Sequence, residues 1–332
     1  MKTIRCMGLL LVVLASLVLS ACGRDKPRMQ GVNMMQSESV SFADVATGDS
    51  IRNLRKLGAN TLALVPLLYQ ASLDAVEIEP AGGMDLPGLR RAIRWAKSFG
   101  MQVVLKPQLL VPGSWAGEIA PVDWAPWFAN YGRYLDELAQ LAMEEQVEML
   151  VIGTELERAA RQPQWLELIE RLRQVYPGRL SYVAHGVEGV RAFAFWDRLD
   201  VVGLSLFPYL GEDMDQAAQQ IRDTCYELRQ AARALPLPVW VAEVGIASRK
   251  RATLRPWAWQ DLTEQEQKVD LKTQAEILDL WLEALQGDWL DGVLIWAWSS
   301  DPDAGGTQDN GFTPQHKPAE RVLACYWSGR CR

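Results

Sequence analysis

Histidine is nearly absent from this chain: there are two in 332 residues, His185 and His316. They lie far apart, with neither H-x-H nor H-E-x-x-H spacing, which removes the usual sequence basis for a catalytic zinc site. No Gly-x-Ser-x-Gly elbow occurs, so the turn that presents a serine nucleophile is missing. The first strand-like segment runs into Asn33-Met34-Met35-Gln36 instead of a glycine-rich turn, which argues against a doubly wound dinucleotide-binding sheet. Basic charge is short as well, with 34 Lys and Arg against 41 Asp and Glu and a formal net charge of −7. A chain of that balance has no electrostatic footprint for nucleic acid. No internal repeat or low-complexity block interrupts it. At 49% hydrophobic and 23% charged residues, it can build one large core or at most two domains.

Cysteine is also sparse, and two of the five belong to the N-terminus. Lys2 and Arg5 precede an apolar run from Met7 to Leu19, the form of a secretory signal that is short for a membrane span. Leu19-Ser20-Ala21-Cys22 resembles the lipobox of bacterial lipoproteins, which implies residues 1–21 as a signal peptide and Cys22 as the acylated first residue. An ordinary cleaved signal and an uncleaved anchor are the other readings. Residues 22–28 read as a polar tether, and residues 29–332 as one domain. Gly23, in place of an aspartate after the cysteine, implies the outer membrane, with the domain facing the periplasm or the cell surface. Loss of residues 1–21 removes Lys2 and Arg5 and no acid, taking the formal charge from −7 to −9. In an oxidising compartment Cys325 and Cys331 could close a small C-terminal loop, while Cys225 reads as a buried thiol in a helix.

Strand-like and helix-like patterns then alternate. The strand candidates are Gln30–Met34, Thr61–Leu67, Gln102–Pro107, Met149–Glu155, Leu180–Ala184, Val201–Phe207, Val239–Val244 and Val293–Trp298. Helical stripes lie between them, such as Trp124, Trp127, Phe128, Tyr131, Leu135, Leu138 and Leu141, at spacings of three or four. Only Ala192–Leu199 is short for a full helix. Eight strands alternating with helices over about 300 residues match a single (β/α)₈ barrel, an α/β fold whose chemistry sits at the C-terminal ends of its strands.

Two of those ends carry glutamates. Met149-Leu150-Val151-Ile152-Gly153-Thr154-Glu155 and Pro238-Val239-Trp240-Val241-Ala242-Glu243 each run without an earlier charge into an acid. On strands four and seven the two carboxylates can face one another across the barrel mouth, an arrangement suited to glycoside hydrolysis. Either glutamate alone could be a structural ion pair at a strand end. The chain is rich in tryptophan, with 14, and Trp115, Trp257, Trp259, Trp296 and Trp298 fall at strand ends or in the loops after them. Indoles there could stack on the apolar faces of sugar rings. Lys106, ending strand three, could bond a sugar hydroxyl, pair with an acid or, as in aldolase-like barrels, form a Schiff base. His185, at the tip of strand five, is a candidate substrate contact. Asp301, Asp303, Asp309 and Asn310 lack the spacing of a Ca²⁺ loop and read as a solvated loop or as acceptors for hydroxyls.

Taken together these segments resemble the glycoside hydrolases of clan A, and within them family 113, the β-mannanase-like enzymes. The resemblance spans nearly the whole chain after the signal. It rests on Val65-Pro66, Leu105-Lys106-Pro107, Gly113-Ser114-Trp115-Ala116-Gly117-Glu118-Ile119, Ile152-Gly153-Thr154-Glu155-Leu156, Ala242-Glu243-Val244-Gly245, Trp296-Ala297-Trp298 and Lys317-Pro318-Ala319-Glu320. It implies retaining hydrolysis of β-linked glycans such as β-1,4-mannan, with Glu155 as general acid/base and Glu243 as nucleophile. A monomer without metal or organic cofactor is expected, with sugar contacts from Lys106, Trp115, Thr154, His185, Tyr209, Trp296 and Trp298. The chain departs from the clan at Thr154, where an asparagine normally binds the sugar 2-OH. Ala116 and Gln108 stand where an arginine and a histidine are frequent. On strand six Phe207 is nearest the place of the usual tyrosine, with Tyr209 two residues on. A barrel that binds glycan without cleaving it, and a glycosidase for another β-linked sugar, are the alternatives.

Overall fold

The computed structural model describes residues 28–330. Eight parallel strands close into a barrel in sequence order: β1 (Met29–Met35), β2 (Thr61–Val65), β3 (Gln102–Leu105), β4 (Met149–Thr154), β5 (Arg179–His185), β6 (Val201–Leu206), β7 (Val239–Val244) and β8 (Gly292–Ser299), with β1 pairing β8. All eight expected strands are present, with ends shifted by a residue or two.

Helices α1 (Val45–Lys56), α2 (Leu86–Ser98), α3 (Trp124–Glu144), α4 (Gln164–Val175), α5 (Gly186–Ala192), α6 (Met214–Arg233), α7 (Leu271–Ala284) and α8 (Pro318–Trp327) follow the strands in turn. The segment between β5 and β6 is short, as the sequence suggested: α5 and a single 3₁₀ turn, Trp196–Arg198, fill it. Several helices begin where an aspartate accepts a backbone N–H, as Asp85, Asp123, Asp213 and Asp270 do, which satisfies donors that have no intrahelical partner. A small second sheet, from Leu67–Tyr69, Glu79–Pro80 and Gln108–Leu110, sits beyond the ends of β2 and β3.

The strands are buried on both faces, as parallel sheets covered by helices are. Met149, Val151, Trp240, Ala242 and Leu294 belong to an inner cluster, while Leu150, Ile152, Val241, Val293 and Ile295 pack in the layer beneath the helices. That two-residue alternation breaks at three strand tips. Register shifts occur between Val151 and Thr154, between Val241 and Glu243, and on β1 between Asn33 and Met34, opposite Trp296 and Trp298. Such irregularities re-aim side chains, and here they fall at the functional end.

Among the described residues, no helix is long and apolar enough to cross a membrane. Cys225 is a free, buried cysteine, as expected. Cys325 is disulfide-bonded. Cys331, its expected partner, and Cys22 with the signal and most of the tether lie outside the described residues.

Candidate active site

Strict alternation after Trp240 and Ala242 would turn Glu243 toward the helices. The shift on β7 instead sets two consecutive residues, Ala242 and Glu243, facing inward, and Val244 returns to the outer layer. Asn33 on β1 helps to hold this stretch, since its Nδ2 donates to the carbonyl of Ala242 at 2.8 Å. Gly245 then allows β8 to pass close: a Cβ there would stand 2.1 Å from the Trp296 carbonyl oxygen. Glu155 follows β4 with φ of 55°, a left-handed conformation that non-glycine residues seldom adopt, and its backbone N–H donates to Val183 on β5.

The two carboxylates have separate retinues. Glu243 is buried and pairs with Lys106, which is fully enclosed in the barrel. Gln108 Nε2 donates to the same oxygen, Oε1, at 2.6 Å. The Lys106 ammonium also lies 5.1 Å from the centre of the Trp296 ring, over its π face. Glu155 is held by three donors. His185 Nδ1 is 3.0 Å from Oε1, Ser205 Oγ donates to the same oxygen, and Trp115 Nε1 donates to Oε2 at 2.9 Å. Trp115 meets the His185 ring edge-on, with centroids 4.7 Å apart, and lies against Gly117, where any Cβ would strike the indole at 2.5 Å.

These surroundings push the two acids in opposite directions. Burial alone would raise Glu155, but the His185 hydrogen bond and charge, with the bonds from Ser205 and Trp115, hold its carboxyl below the usual range. Burial raises Glu243 above that range, against the pull of Lys106 and with a further push from the charge of Glu155. Burial also draws Lys106 down from its ordinary value, although Glu243 opposes this. His185 is raised, chiefly by its bond to Glu155.

The structure thus brings together Glu155, Glu243, Lys106, Trp115, His185 and Trp296. Thr154 sits directly before Glu155, with its hydroxyl buried and without a hydrogen-bond partner among the described residues. Trp298 does not join them. The register shift beside Trp296 turns its indole outward beneath α1, where it is 2% exposed and donates to Ser50 Oγ at 2.9 Å. Tyr209 is 51% exposed on the loop after β6 and is not among the hydrogen-bond partners of either carboxylate in the described residues. From β6 it is Ser205 that reaches in. Sequence reasoning missed Ser205 and Asn33, and the available signal was a lone polar residue inside an apolar strand. Asp309 is engaged by buried Lys317, which ties the loop after β8 to Ser248 after β7. Among the described residues no cluster of His, Cys, Asp or Glu could hold a metal ion.

Comparison with known proteins agrees with this geometry. The sequence profile of Glycoside Hydrolase Family 113 matches residues 33–317. The chain belongs to glycoside hydrolase family 113. One solved family 113 β-1,4-mannanase, in a complex, shares 25% identity with a TM-score of 0.78, covering 91% of this chain and 98% of the other. The family 113 β-mannanase AaManA from Alicyclobacillus acidocaldarius, solved in complex with ManMIm, superposes at a TM-score of 0.81 with 24% identity, over 92% and 99%. A family 5 mannosidase from Rhizomucor miehei shares the fold alone, at a TM-score of 0.59 and 11% identity, over 91% and 93%. A search of curated proteins finds no match. This family 113 chain is therefore a glycoside hydrolase with a (β/α)₈ barrel, and an oligo- or polysaccharide is its substrate.

Proposed function

We propose that this protein is a retaining hydrolase of β-1,4-mannan or manno-oligosaccharides, with Glu243 as nucleophile and Glu155 as general acid/base. The supporting observation is the pair of carboxylates at the tips of β7 and β4, each held by its own donors. Lys106 and Gln108 both bind Oε1 of Glu243, which leaves Oε2 as the oxygen without a hydrogen bond among the described residues. Oε2 attacks the anomeric carbon, the glycosidic C–O bond breaks, and the leaving oxygen keeps the electron pair and takes a proton from Glu155. Water then attacks the glycosyl-enzyme bond, gives its proton to Glu155 and frees Glu243.

The first step needs Glu155 protonated, whereas the ligand-free site favours its carboxylate. His185 is placed to resolve this, because its Nδ1 lies 3.0 Å from Glu155 Oε1 and, when protonated, is within reach to pass a proton to the carboxylate. A sugar entering the mouth displaces the Trp115 bond and excludes water, and one short transfer from Nδ1 then arms the acid. Mannan as the substrate rests on the two family 113 mannanases, which also align over almost their whole length.

The test is hydrolysis of a panel of β-linked oligosaccharides, beginning with manno-oligosaccharides, by the wild type and by Glu243→Ala. Cleavage by the wild type and none by the variant is the expected result. A folded wild type that cleaves nothing in the panel would defeat the reading in favour of a glycan-binding barrel. We extend the proposal to location: Leu19-Ser20-Ala21-Cys22 supports a lipid anchor in the outer membrane, and fatty-acid labelling lost in Cys22→Ala is the expected outcome.

A further inference from the structure

Tryptophan in this protein is largely a core residue: Trp127, Trp165, Trp240 and Trp281 are fully buried. Trp257 and Trp259 are the opposite, at 51% and 59% exposed. Both lie between the end of β7 and the start of α7, so they share the end of the barrel that carries Glu155 and Glu243.

Their loop is not loose. Arg249, itself buried, reaches beneath it and donates to the carbonyl of Ala258 at 2.7 Å and of Arg255 at 3.3 Å. Lys250 N–H donates to Lys268 at 2.8 Å, and Leu210 N–H, on the loop after β6, donates to Thr253 at 2.8 Å. Along this anchored turn the side chains alternate, with Pro256 and Ala258 inward and Trp257 and Trp259 outward. Tyr209, also half-exposed, stands on the adjoining loop that the Leu210 bond ties in. A loop that served only to cap the barrel would bury its indoles, since they are the side chains with most to gain from burial. Here a buried arginine fixes a backbone whose two largest apolar groups face water, an arrangement suited to meeting the apolar face of a ligand.

We propose that Trp257 and Trp259 form a second glycan-binding platform, which holds a further stretch of a β-linked polysaccharide beyond the sugars engaged by the two carboxylates. The inference rests on the glycosidase reading, because the chain leaving the catalytic mouth is what supplies the ligand. A β-mannosyl ring carries its axial 2-hydroxyl on one face and axial C–H groups on the other, and that C–H face matches an indole face. A lipid surface fits less well. Two of the flanking cations are paired, Lys250 with Asp270 at 2.8 Å and Arg255 with Glu266 at 3.7 Å. The remaining Arg251 and Lys268 share the loop with Asp261 and Glu264, so the face carries mixed charge and lacks the cationic excess that anionic lipid selects. The chain also enters the barrel at Met29, at the end opposite the platform.

The experiment compares the full-length wild type with the Trp257→Ala/Trp259→Ala double variant on polymeric β-1,4-mannan and on a short manno-oligosaccharide. The expected result is a fall in kcat/KM on the polymer on the order of tenfold, with the short substrate unchanged within about twofold. Equal losses on both substrates, or no loss on the polymer, would overturn the platform. Retention in affinity gels cast with mannan reads the platform independently of catalysis. If the wild type cleaves nothing but is retarded and the double variant is not, the platform stands while the hydrolase reading falls; no retardation of the wild type sinks the platform. In a third arm, full-length Cys22→Ala, which cannot be acylated, is sedimented with phosphatidylethanolamine–phosphatidylglycerol vesicles. Binding that disappears with the two indoles would assign them to lipid and overturn the glycan proposal.

Discussion

Glu155 and Glu243 are the same residue type at equivalent places on two strands, and the walls around them differ in kind. The Glu243 wall is closed and holds a cation: Lys106 is fully buried, Gln108 adds a second donor to the same oxygen, and Trp296 covers the ammonium. The Glu155 wall is more open and holds a titratable ring, with His185, Ser205 and Trp115 dividing both oxygens between them. Burial dominates on the first side and raises the acid. Hydrogen bonds and a neighbouring charge dominate on the second and lower it. The comparison teaches that the strand tip supplies only the carboxyl. What the carboxyl can do is set by which partners the adjacent strands bring, and by whether a partner can give up a proton near neutral pH.

The largest effect should come from removing the fixed cation. Lys106→Met leaves a buried acid with one neutral donor, a change of the kind that costs about 3–5 kcal/mol when a buried pair is broken. Folded Lys106→Met should also lose kcat/KM by at least about a hundredfold near neutral pH, because Glu243 rises further and is protonated. Its acid limb should move to higher pH. An unmoved limb would mean that Lys106 does not govern Glu243.

Next in size is a pH profile that reads both walls at once. Since kcat/KM reports the free enzyme, its acid limb should lie above 4.5, the ordinary value from which Glu243 is raised. Its alkaline limb should lie above 6.5, the ordinary value from which His185 is raised, because activity is lost as that proton leaves. In His185→Gln the proton must sit on Glu155 itself, so the alkaline limb should fall by about a unit or more. Substrates with activated leaving groups, which need no acid, should be least affected. An alkaline limb that stays in place would remove His185 from the proton path.

Trp115→Phe keeps an aromatic ring over Gly117 and deletes the N–H that bonds Glu155 Oε2. A charged hydrogen bond of this sort is worth about 1.5–3 kcal/mol. Because the incoming sugar displaces that bond and inherits the indole donor, kcat/KM should fall roughly tenfold or more with little change in Tm; a kcat/KM that holds or rises would remove Trp115 from the sugar contacts. The smallest change is Thr154→Val, which removes a buried hydroxyl that has no hydrogen-bond partner among the described residues. Stability should stay the same or increase slightly, and the expected cost is about tenfold in kcat/KM through a lost sugar contact. Equal activity of Thr154→Val and wild type would show that Thr154 does not replace the asparagine of the wider clan.

Much of this could be read from the residues. The eight strands, their order, the short segment before β6 and both glutamates were legible because a parallel strand buried on two faces is a run of aliphatic residues, and an acid at its end stands out. Ser205 was not legible, since a serine between two leucines gives no sign of which strand's acid it will meet across the mouth. Trp298 misled for the same kind of reason. Trp296 and Trp298 sit two apart, so the pleat predicts one face for both, yet a register shift between neighbouring strands sends one inward and the other to Ser50.

The sequence by itself determined the barrel, the two acidic tips, the scarcity of metal ligands and the wealth of tryptophan, all of which follow from local composition and period. Only the tertiary structure decided that Glu243 faces inward, that Lys106 is its cation, that His185 meets Glu155, and which indoles meet solvent. Those outcomes depend on strand register and on groups as far apart in sequence as Lys106 and Glu243. Closure of the barrel brings such groups together, and no window along the chain contains both.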